Sequence, residues 1–566
     1  MAVLVQAQSL CLSGRFADAL ALLAPLLASP DTAHAERVKS LDIAAVCSLG
    51  VGEMADAETY WRRAIEIEPD FIDSYNNLGI MLKGLGRFAE AEALFRQLLM
   101  QRPDIVEAHN NLGTVLYALK RVPEAERAYR HAILLRDGYA DARYNLALLL
   151  FHADRLTEAE VEYRQVLRLR PDAAEAHNNL GNLRQVLNHL SDAEVHYRMA
   201  IGLQPGLAEA HYNLGSVTRE GGRLDEAEAA YRQALALRPD YRDAQFGLAT
   251  LLISTGRFDE GWQRYESRYD NPLFIHGQTR ALLHCAQWRG ESLAGKSVLV
   301  WQEDGLGDMI QFGRYLPLLK AAGARHITLA CVPALHRLMA NVEGVDAVLD
   351  HDTAQAQASG HDYWTSLLSA PLHLRTRFDA IPAPLHVPHD PALHAPWQAS
   401  LDALPDGVRI GLVWKGNPKH HNDANRSLPS LSTLAPLWEL PDAQFVSLQK
   451  GQGEDEALAA PGGMPLLHLG STVTDFADSA AVIAQLDLLI CVDTSMAHLA
   501  ASLGKPCWLL LPARDIDWRW MHDRDDSPWY PETMRLFRQA RGETWADVVI
   551  RMKAACATWL GETVTA

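Results

Sequence analysis

Residues 208–239 read AEAHYNLGSVTREGGRLDEAEAAYRQALALRP, and this stretch decides the fold of the first half of the chain. Its leucine at Leu214 belongs to a series of Leu-Gly or Leu-Ala pairs spaced 34 residues apart. The leucines in register are Leu78, Leu112, Leu146, Leu180, Leu214 and Leu248. A fixed period of this length indicates stacked copies of one supersecondary unit rather than a single globular core.

Three further residue types keep the same register. They are alanine at Ala57, Ala91, Ala125, Ala159, Ala193 and Ala227, tyrosine at Tyr129, Tyr163, Tyr197 and Tyr231, and proline at Pro69, Pro103, Pro171, Pro205 and Pro239. Small alanines let two helices approach, the aromatic ring fills the gap to the next pair, and proline ends the second helix. This pattern is typical of TPR units, so we predict an all-α TPR superhelix over residues 1–270 that binds protein.

An asparagine precedes the repeated leucine in successive units. These residues are Asn77, Asn111, Asn145, Asn179 and Asn213. On the first helix of a repeat this position faces the concave groove, where a carboxamide can donate to and accept from the backbone of an extended peptide. The alternative is that each asparagine satisfies a neighbouring backbone group between helices. The asparagine series resembles that of the eukaryotic O-linked N-acetylglucosamine transferase, and this resemblance implies an acceptor protein bound in the TPR groove.

The composition excludes several classes of protein. With 48% apolar and 22% charged residues over 566 residues, the chain should fold throughout into several domains. The net charge of −18 argues against a nucleic-acid partner. Seven cysteines without a CxxC pair fit a reducing compartment, and no apolar run approaches the roughly 18 residues of a bilayer span. We therefore expect a cytoplasmic protein without a transmembrane segment.

The 34-residue period ends before Trp288, and short apolar runs follow. Residues 298–301, 327–332 and 345–349 predict buried strands, with a helix over 309–322 between the first two. After the proline-rich IPAPLHVPHDPALHAP, the pattern restarts with RIGLVW, QFVSLQ, LDLLICV and CWLLLP. We predict an α/β GT-B arrangement of two Rossmann-like doubly wound domains, over 285–395 and 396–566, with the ligand between the carboxyl ends of their sheets.

The first crossover of this region carries EDGLGDMIQF. Gly305 and Gly307 follow a strand and precede a helix, but Ile310 occupies the last glycine position of a dinucleotide-binding fingerprint. The loop offers close backbone approach at a helix N-terminus, with the Asp308 carboxylate at its edge. Asp308 is a candidate general base, and the alternative is an ordinary helix cap.

Two later loops also follow strands. The segment GLVWKGNPKHHNDANRSLP contributes Lys415, Asn417, His420, His421, Asn422, Asn425 and Arg426, whose cations and amides can orient a diphosphate unless this is a solvated surface loop. The segment LICVDTSMAHLAASLGKP places Asp493, Thr494, Ser495 and His498 at a helix start, which favours an anion site. Asp493 is a candidate acceptor for a sugar hydroxyl, or a cap.

A third segment, ARDIDWRWMHDRDDSPWYP, is rich in Asp and Trp. We interpret it as a loop beside the cleft rather than as a metal-binding DxD motif, since it does not have the context of a single-domain glycosyltransferase. Trp518, Trp520 and Arg524 are candidate donor contacts, and the alternative is a packing loop.

The glycine loop, the Lys415 loop and DTSMAHLAA at 493–501 together resemble glycosyltransferase family 9, the heptosyltransferase-like enzymes. The resemblance covers about residues 285–566, and Ser495 stands where heptosyltransferases usually have glycine. It implies transfer from a nucleotide sugar without a metal or other cofactor, with Asp308 as base and with donor contacts from Lys415, Asn417, Arg426, Asp493, Thr494, Ser495 and His498.

The fusion with TPR repeats is similar to bacterial flagellin-modifying glycosyltransferases. We therefore expect a protein O-glycosyltransferase that inverts configuration at a Ser or Thr acceptor, with flagellin as one candidate target. Two alternatives stay open, namely a lipopolysaccharide-type saccharide transferase that uses the TPR half for docking, and a TPR scaffold without catalysis.

Overall fold

The computed structural model describes residues 2–29, 32–270, 275–387, 391–420, 422–460 and 464–565. His421 of the predicted donor loop lies outside these residues. The chain divides into two compact units, the first ending at Val217 and the second beginning at Thr218.

The first half consists of paired helices. They are α1 Ala2–Leu12, α2 Phe16–Ala28, α3 His34–Gly50, α4 Met54–Ile67, α5 Ile72–Gly84, α6 Phe88–Gln101, α7 Val106–Ala118, α8 Val122–Leu135, α9 Ala140–His152, α10 Leu156–Leu169, α11 Ala174–Val186, α12 Leu190–Leu203, α13 Ala208–Glu220, α14 Leu224–Leu237, α15 Arg242–Ser254 and α16 Phe258–Tyr265.

Packing between these helices explains the repeated residues. The in-register alanine of each pair is fully buried, for example Ala125 and Ala159. A Cβ at Gly113 would lie 2.6 Å from the Tyr129 ring, and a Cβ at Gly181 would lie 2.6 Å from the Tyr197 ring. Glycine after the leucine therefore makes room for the aromatic side chain of the following helix, and the predicted TPR fold is confirmed. The bounds 1–270 and protein binding stay predictions.

Most helices of the second half are shorter, and the last one, with 21 residues, is the exception. They are α17 Ile275–Leu282, α18 Leu306–Phe312, α19 Leu316–Ala321, α20 Pro333–Met339, α21 His351–Gln357, α22 Ala370–His373, α23 Ala395–Asp402, α24 Asp423–Arg426, α25 Glu454–Leu458, α26 Phe476–Ile483, α27 Ser495–Ser502 and α28 Trp545–Thr565. Short 3-10 helices lie at Glu266–Asp270, Gly313–Tyr315, Ala358–Gly360, Phe378–Ala380, Pro391–Leu393, Leu431–Glu439, Gly470–Thr472 and Trp518–Trp520.

Two parallel sheets form the α/β region. Their strands are β1 Ala286–Gln287, β2 Ser297–Trp301, β3 His326–Ala330, β4 Ala347–Leu349, β5 Tyr363–Thr365, β6 Val408–Val413, β7 Ala443–Ser447, β8 Leu466–His468, β9 Leu488–Val492, β10 Cys507–Leu511 and β11 Met534–Arg538. The first sheet has the order β1-β5-β2-β3-β4 and the second has β11-β10-β9-β6-β7-β8. In the second sheet, Leu412 lies opposite Ser447 on one side and Ile490 on the other.

The order of the second sheet is that of a doubly wound nucleotide-binding domain, and the first follows the same order over four strands. The predicted fold class, TPR helices followed by a GT-B-like α/β region, is therefore confirmed. In such sheets ligands bind outside the carboxyl ends of the strands, next to the point where the strand order reverses.

The last repeat helices share a hydrophobic core with the sheets. Ile253 of α15 and Phe258 and Trp262 of α16 are buried in the same cluster as Met309 of α18 and Leu499 of α27. The second compact unit thus includes α14, α15 and α16 together with both sheets. Within the described ranges, no helix combines the length and apolarity needed to cross a bilayer.

Candidate active site

The first turns of α18 and α27 meet face to face. A Cβ at Gly307 would lie 2.8 Å from the His498 Cδ2 atom and 3.4 Å from the Ser495 Cα atom. A larger residue at this position would have to displace the buried His498 ring. Because α18 follows β2 and α27 follows β9, the contact joins the carboxyl ends of the two sheets and brings Asp308 next to the start of α27.

Asp308 makes two kinds of contact. Its Oδ2 accepts the backbone N–H of Gly305 at 2.8 Å, so it does cap α18. Its Oδ1 accepts a charged hydrogen bond from the guanidinium of Arg519, which also donates to both oxygens of Asp517 at 2.8 and 2.9 Å. Capping therefore uses only one of the two carboxylate oxygens, and the catalytic role of Asp308 stays a prediction.

Burial raises the pKa of Asp308 to about 7, against the opposing influence of the Arg519 charge. The nearby carboxylates of Asp304 and Asp517 act in the same direction as burial. A carboxylate with a pKa close to neutral is a stronger base than an ordinary aspartate. The electrostatics therefore suit proton abstraction near pH 7.

The segment after β9 supplies a second group of polar atoms. Burial raises the pKa of Asp493 to about 6, with Asp517 acting in the same direction. Thr494 stands at the N-cap of α27 without a side-chain capping bond, and its Oγ1 is buried with no hydrogen-bond partner in the described part of the chain. Together with the N–H groups of the first turn, beginning at Ser495, this hydroxyl provides donors for an anion.

His498 is a packing residue in this structure. It is 5% exposed, its ring stacks on Trp520 with 5.2 Å between centroids, and its Nδ1 lies 3.2 Å from the Tyr530 hydroxyl. Burial lowers the pKa of His498 to about 3, so the imidazole is neutral at physiological pH. A neutral, buried ring orients α27, and its predicted donor contact remains untested.

The loop after β6 is partly buried. The Lys415 side chain is 13% exposed; its Nζ donates to the Pro429 carbonyl at 3.0 Å and pairs with Glu456 at 3.2 Å. Asn417 is exposed, and its Oδ1 accepts the Lys419 N–H at 3.0 Å. The alternative that this segment is a solvated surface loop therefore holds for Asn417 but not for Lys415.

Arg426 folds back across the same loop. A Cβ at Gly416 would lie 2.8 Å from the Arg426 guanidinium, and Asp423 accepts from Arg426 Nε at 3.4 Å. The Arg426 charge also lowers the pKa of Asp493, which places this cation within electrostatic range of the α27 start.

Arg519 is a residue that sequence reasoning missed. It lies in the Asp- and Trp-rich segment, where Trp518, Trp520 and Arg524 were the candidates. Trp520 is fully buried, and Arg524 pairs with Asp526 at 2.7 Å, so neither supplies an open donor contact here. The signal that could have found Arg519 is its position between two tryptophans and two residues after an acidic pair partner, Asp517.

The five asparagines of the repeats bond to side chains one unit earlier. The Nδ2 atoms of Asn111, Asn145 and Asn213 donate to the Oδ1 atoms of Asn76, Asn110 and Asn178 at 3.1, 2.9 and 2.9 Å, Asn179 donates to the Tyr144 hydroxyl at 2.8 Å, and Asn77 donates to Asp42 at 3.4 Å. Each donor lies 35 residues after its acceptor. These amides link successive repeats through side chains, and their contact with an acceptor protein stays a prediction.

Among the described residues, no group of three or more His, Cys, Asp or Glu side chains is arranged to hold a metal ion.

Comparisons with known proteins find matches in both halves of the chain. Tetratricopeptide repeat profiles match residues 76–138, 124–174 and 178–239, and a second such profile matches 218–264. The profile described as Glycosyltransferase family 9 (heptosyltransferase) matches residues 469–510, which contain Asp493, Thr494, Ser495 and His498.

A curated relative, Protein FlbA of Caulobacter vibrioides, is 28% identical over 320 residues. The match covers 52% of this chain, and this chain spans about half (52%) of the length of that relative. Two solved structures are also similar. The structure of MamA is 23% identical with a TM-score of 0.27, and the match covers 29% of this chain and 95% of that one. The structure of YrrB, described as a TPR protein with an unusual peptide-binding site, is 21% identical with a TM-score of 0.28, and the match covers 32% of this chain and 95% of that one. The repeats, the family 9 segment and the FlbA likeness support a TPR-containing glycosyltransferase.

Proposed function

We propose that this chain transfers a sugar from a nucleotide-sugar donor to a Ser or Thr hydroxyl of a protein held by the TPR repeats. The observation that carries the proposal is the meeting of Asp308, whose pKa is raised to about 7, with the start of α27, where Thr494 Oγ1 has no partner in the described part of the chain. One side of this junction suits a base and the other an anion. Displacement of a nucleotide phosphate from a sugar uses both, a base for the acceptor hydroxyl and an anion site for the leaving phosphate.

The chemistry is a single inverting displacement. The acceptor hydroxyl oxygen forms a bond to the anomeric carbon while the bond from that carbon to the phosphate oxygen breaks. The hydroxyl proton passes to Asp308, and the electron pair of the broken bond stays on the nucleotide phosphate. Helix α27, Thr494, Lys415 and Arg426 stabilise the charge that develops on the leaving group. In this proposal the protein's own donors neutralise the phosphates, and no metal takes part.

A screen of nucleotide sugars tests the proposal directly. A ligand at about 100 times its dissociation constant adds roughly 2.7 kcal/mol to stability, so a true donor should raise the melting temperature. The donor found in this way is then incubated with candidate acceptor proteins, flagellin among them, and the product is sought by mass spectrometry. A chain that no nucleotide sugar stabilises, and that transfers none, would contradict the proposal.

Lys415→Ala should weaken donor binding by about 1.5–3 kcal/mol, the scale of a charged hydrogen bond. The reason is that Nζ lies in the donor loop and can exchange Glu456 for a phosphate. Titration calorimetry with the donor measures the change. Glu456→Gln is the matched control, because it removes the charge of the ion pair and keeps Lys415. If the two variants lose donor affinity equally, Lys415 acts by holding the loop and not by binding phosphate.

Changing Asn111, Asn145 and Asn179 together to Ala should abolish modification of the acceptor protein while donor hydrolysis in the cleft persists. Each lost amide removes roughly 0.5–1.5 kcal/mol of peptide binding. Pull-down of the acceptor and the rate of its modification are the measurements, with a melt to check folding.

The repeats provide a matched control for this triple variant. Asn76→Ala, Asn110→Ala and Tyr144→Phe remove the partners of the same three bonds and leave the groove asparagines in place. An acceptor-binding role predicts that the control modifies its target almost normally. Equal loss in both triple variants would show that the asparagines serve repeat geometry alone.

A further inference from the structure

We propose that Arg519 is a positioning residue that holds the Asp308 carboxylate in its charged form and in one orientation, and that helix α16 at the end of the repeats fixes Arg519 in place. The proposal rests on the proposed function of the cleft. It assigns the last repeat-like helix a part in catalysis.

Arg519 is built into the site rather than lying on its surface. It is 8% exposed, it donates to Asp308, and two further bonds at 2.8 and 2.9 Å tie it to Asp517. Its guanidinium also lies over the Trp518 ring, 4.2 Å from the centroid. A planar guanidinium held on two carboxylates and an aromatic face has little freedom to turn, so it restricts the Asp308 carboxylate as well.

Helix α16 packs against the aromatic rings that contact this cation, Trp518 and Phe312. The Trp262 ring lies 5.5 Å from the Trp518 ring and 6.0 Å from the Phe312 ring, and Tyr265 lies 6.0 Å from Trp518. Phe312 ends the helix that begins beside Asp308. The aromatic side chains of α16 therefore contact both the loop that carries Arg519 and the helix that carries Asp308.

The charges around Asp308 explain what Arg519 does. Asp304, which His276 of α17 contacts at 3.0 Å, and Asp517 both favour a proton on Asp308, as does burial. The Tyr265 hydroxyl of α16 is uncharged because its own pKa is raised by burial, and His498 of α27 is neutral. The Arg519 cation opposes these influences and lowers the pKa of Asp308, as does the hydrogen bond from the Gly305 N–H.

The pH profile of transfer distinguishes positioning from a structural role. In Arg519→Gln, the acid limb of kcat/KM should move to higher pH by about one unit or more, with the rate partly recovered at pH 9. Arg519→Lys keeps the positive charge, so its acid limb should move less. Arg377→Gln, which breaks an exposed pair with Asp379, is the control and should leave the limb in place. A rate that falls equally at every pH, with an unmoved limb, would overturn the proposal.

A melting experiment on the full chain tests the same pair without any activity. Loss of Arg519 lets folded Asp308 retain its proton to higher pH, so Arg519→Gln should lower the melting temperature more at pH 8.5 than at pH 6. In Asp308→Asn with Arg519→Gln, the additional loss at pH 8.5 should disappear. An Arg519→Gln deficit that is the same at both pH values, or that persists in the double variant, would contradict the proposal. Because melts need no donor, failure to find transfer leaves this test intact.

Discussion

Asp308→Asn is expected to lower the rate of sugar transfer by roughly 10² or more, since general-base catalysis typically contributes that much. Asparagine can still accept the Gly305 N–H, so α18 remains capped and donor affinity should be unchanged. Single-turnover transfer measures the loss, and calorimetry measures the donor affinity. A variant that retains more than about a tenth of the rate would remove Asp308 as the base.

Asp350→Asn is the control for a capping role. Asp350 caps α21 in the same region by accepting the Thr353 N–H at 2.8 Å. Asparagine also accepts a backbone N–H at a helix start. If Asp308 acted through capping alone, both variants would therefore keep the stability and the transfer rate of the unmodified chain.

The same assignment fixes the pH dependence of the wild-type chain. A base must be deprotonated, so kcat/KM should rise with pH through about 7, the raised pKa of Asp308. The contribution of Asp308 to the free energy of unfolding changes with pH in the opposite direction. The unfolded carboxyl group ionises near pH 4 and the folded one only near 7, so the contribution of Asp308 to stability falls as the pH rises between these values.

Trp262→Ala is the second change with a large expected effect. The side chain is 1% exposed and lies among Phe258, Phe312, Trp518 and Trp529, so its truncation should cost about 3–5 kcal/mol. Because Trp262 supports the loop of Arg519, transfer should fall as well. Calorimetric melting and the transfer rate at a temperature where the variant is folded are the measurements.

Trp61→Ala provides the matched comparison in the first compact unit. Trp61 is equally buried and donates through Nε1 to Asp42 at 2.9 Å. It should destabilise the repeats and leave donor hydrolysis in the second unit unaffected. If Trp61→Ala and Trp262→Ala reduce hydrolysis to the same degree, the special role of α16 is wrong.

Long-period and apolar patterns predicted most of the fold. The 34-residue register indicated the helix pairs, and the runs RIGLVW and CWLLLP correspond to β6 and β10. Strands β1, β5 and β8 are two or three residues long, and β11 contains two arginines, so none gives a clear apolar run. The helix expected over 309–322 is interrupted at Gly313–Tyr315, just before Pro317 prevents a regular backbone hydrogen bond.

The candidate site was predictable only where a side chain follows a strand. Asp308, Lys415 and the Asp493 segment could be placed because parallel strands bring their carboxyl ends to one edge. Arg519 lies in an irregular loop, and its contact with Asp308 spans 211 residues of sequence. No local pattern encodes such a pair. The hydrogen bonds that the asparagines make to the preceding repeat could not be predicted either, because an asparagine can bind a peptide in a groove or join two neighbouring helices.

The burial of α15 and α16 in the core of the sheets has a consequence for how such a chain can diversify. Duplication or loss of a whole 34-residue unit upstream of these helices changes the length of the repeat array without altering the side chains that pack against the Arg519 loop. An insertion or deletion within α15 or α16 would instead displace Trp262 from Trp518. Relatives with longer or shorter arrays should therefore gain or lose units at the amino-terminal side, while the junction of α18 and α27 stays unchanged.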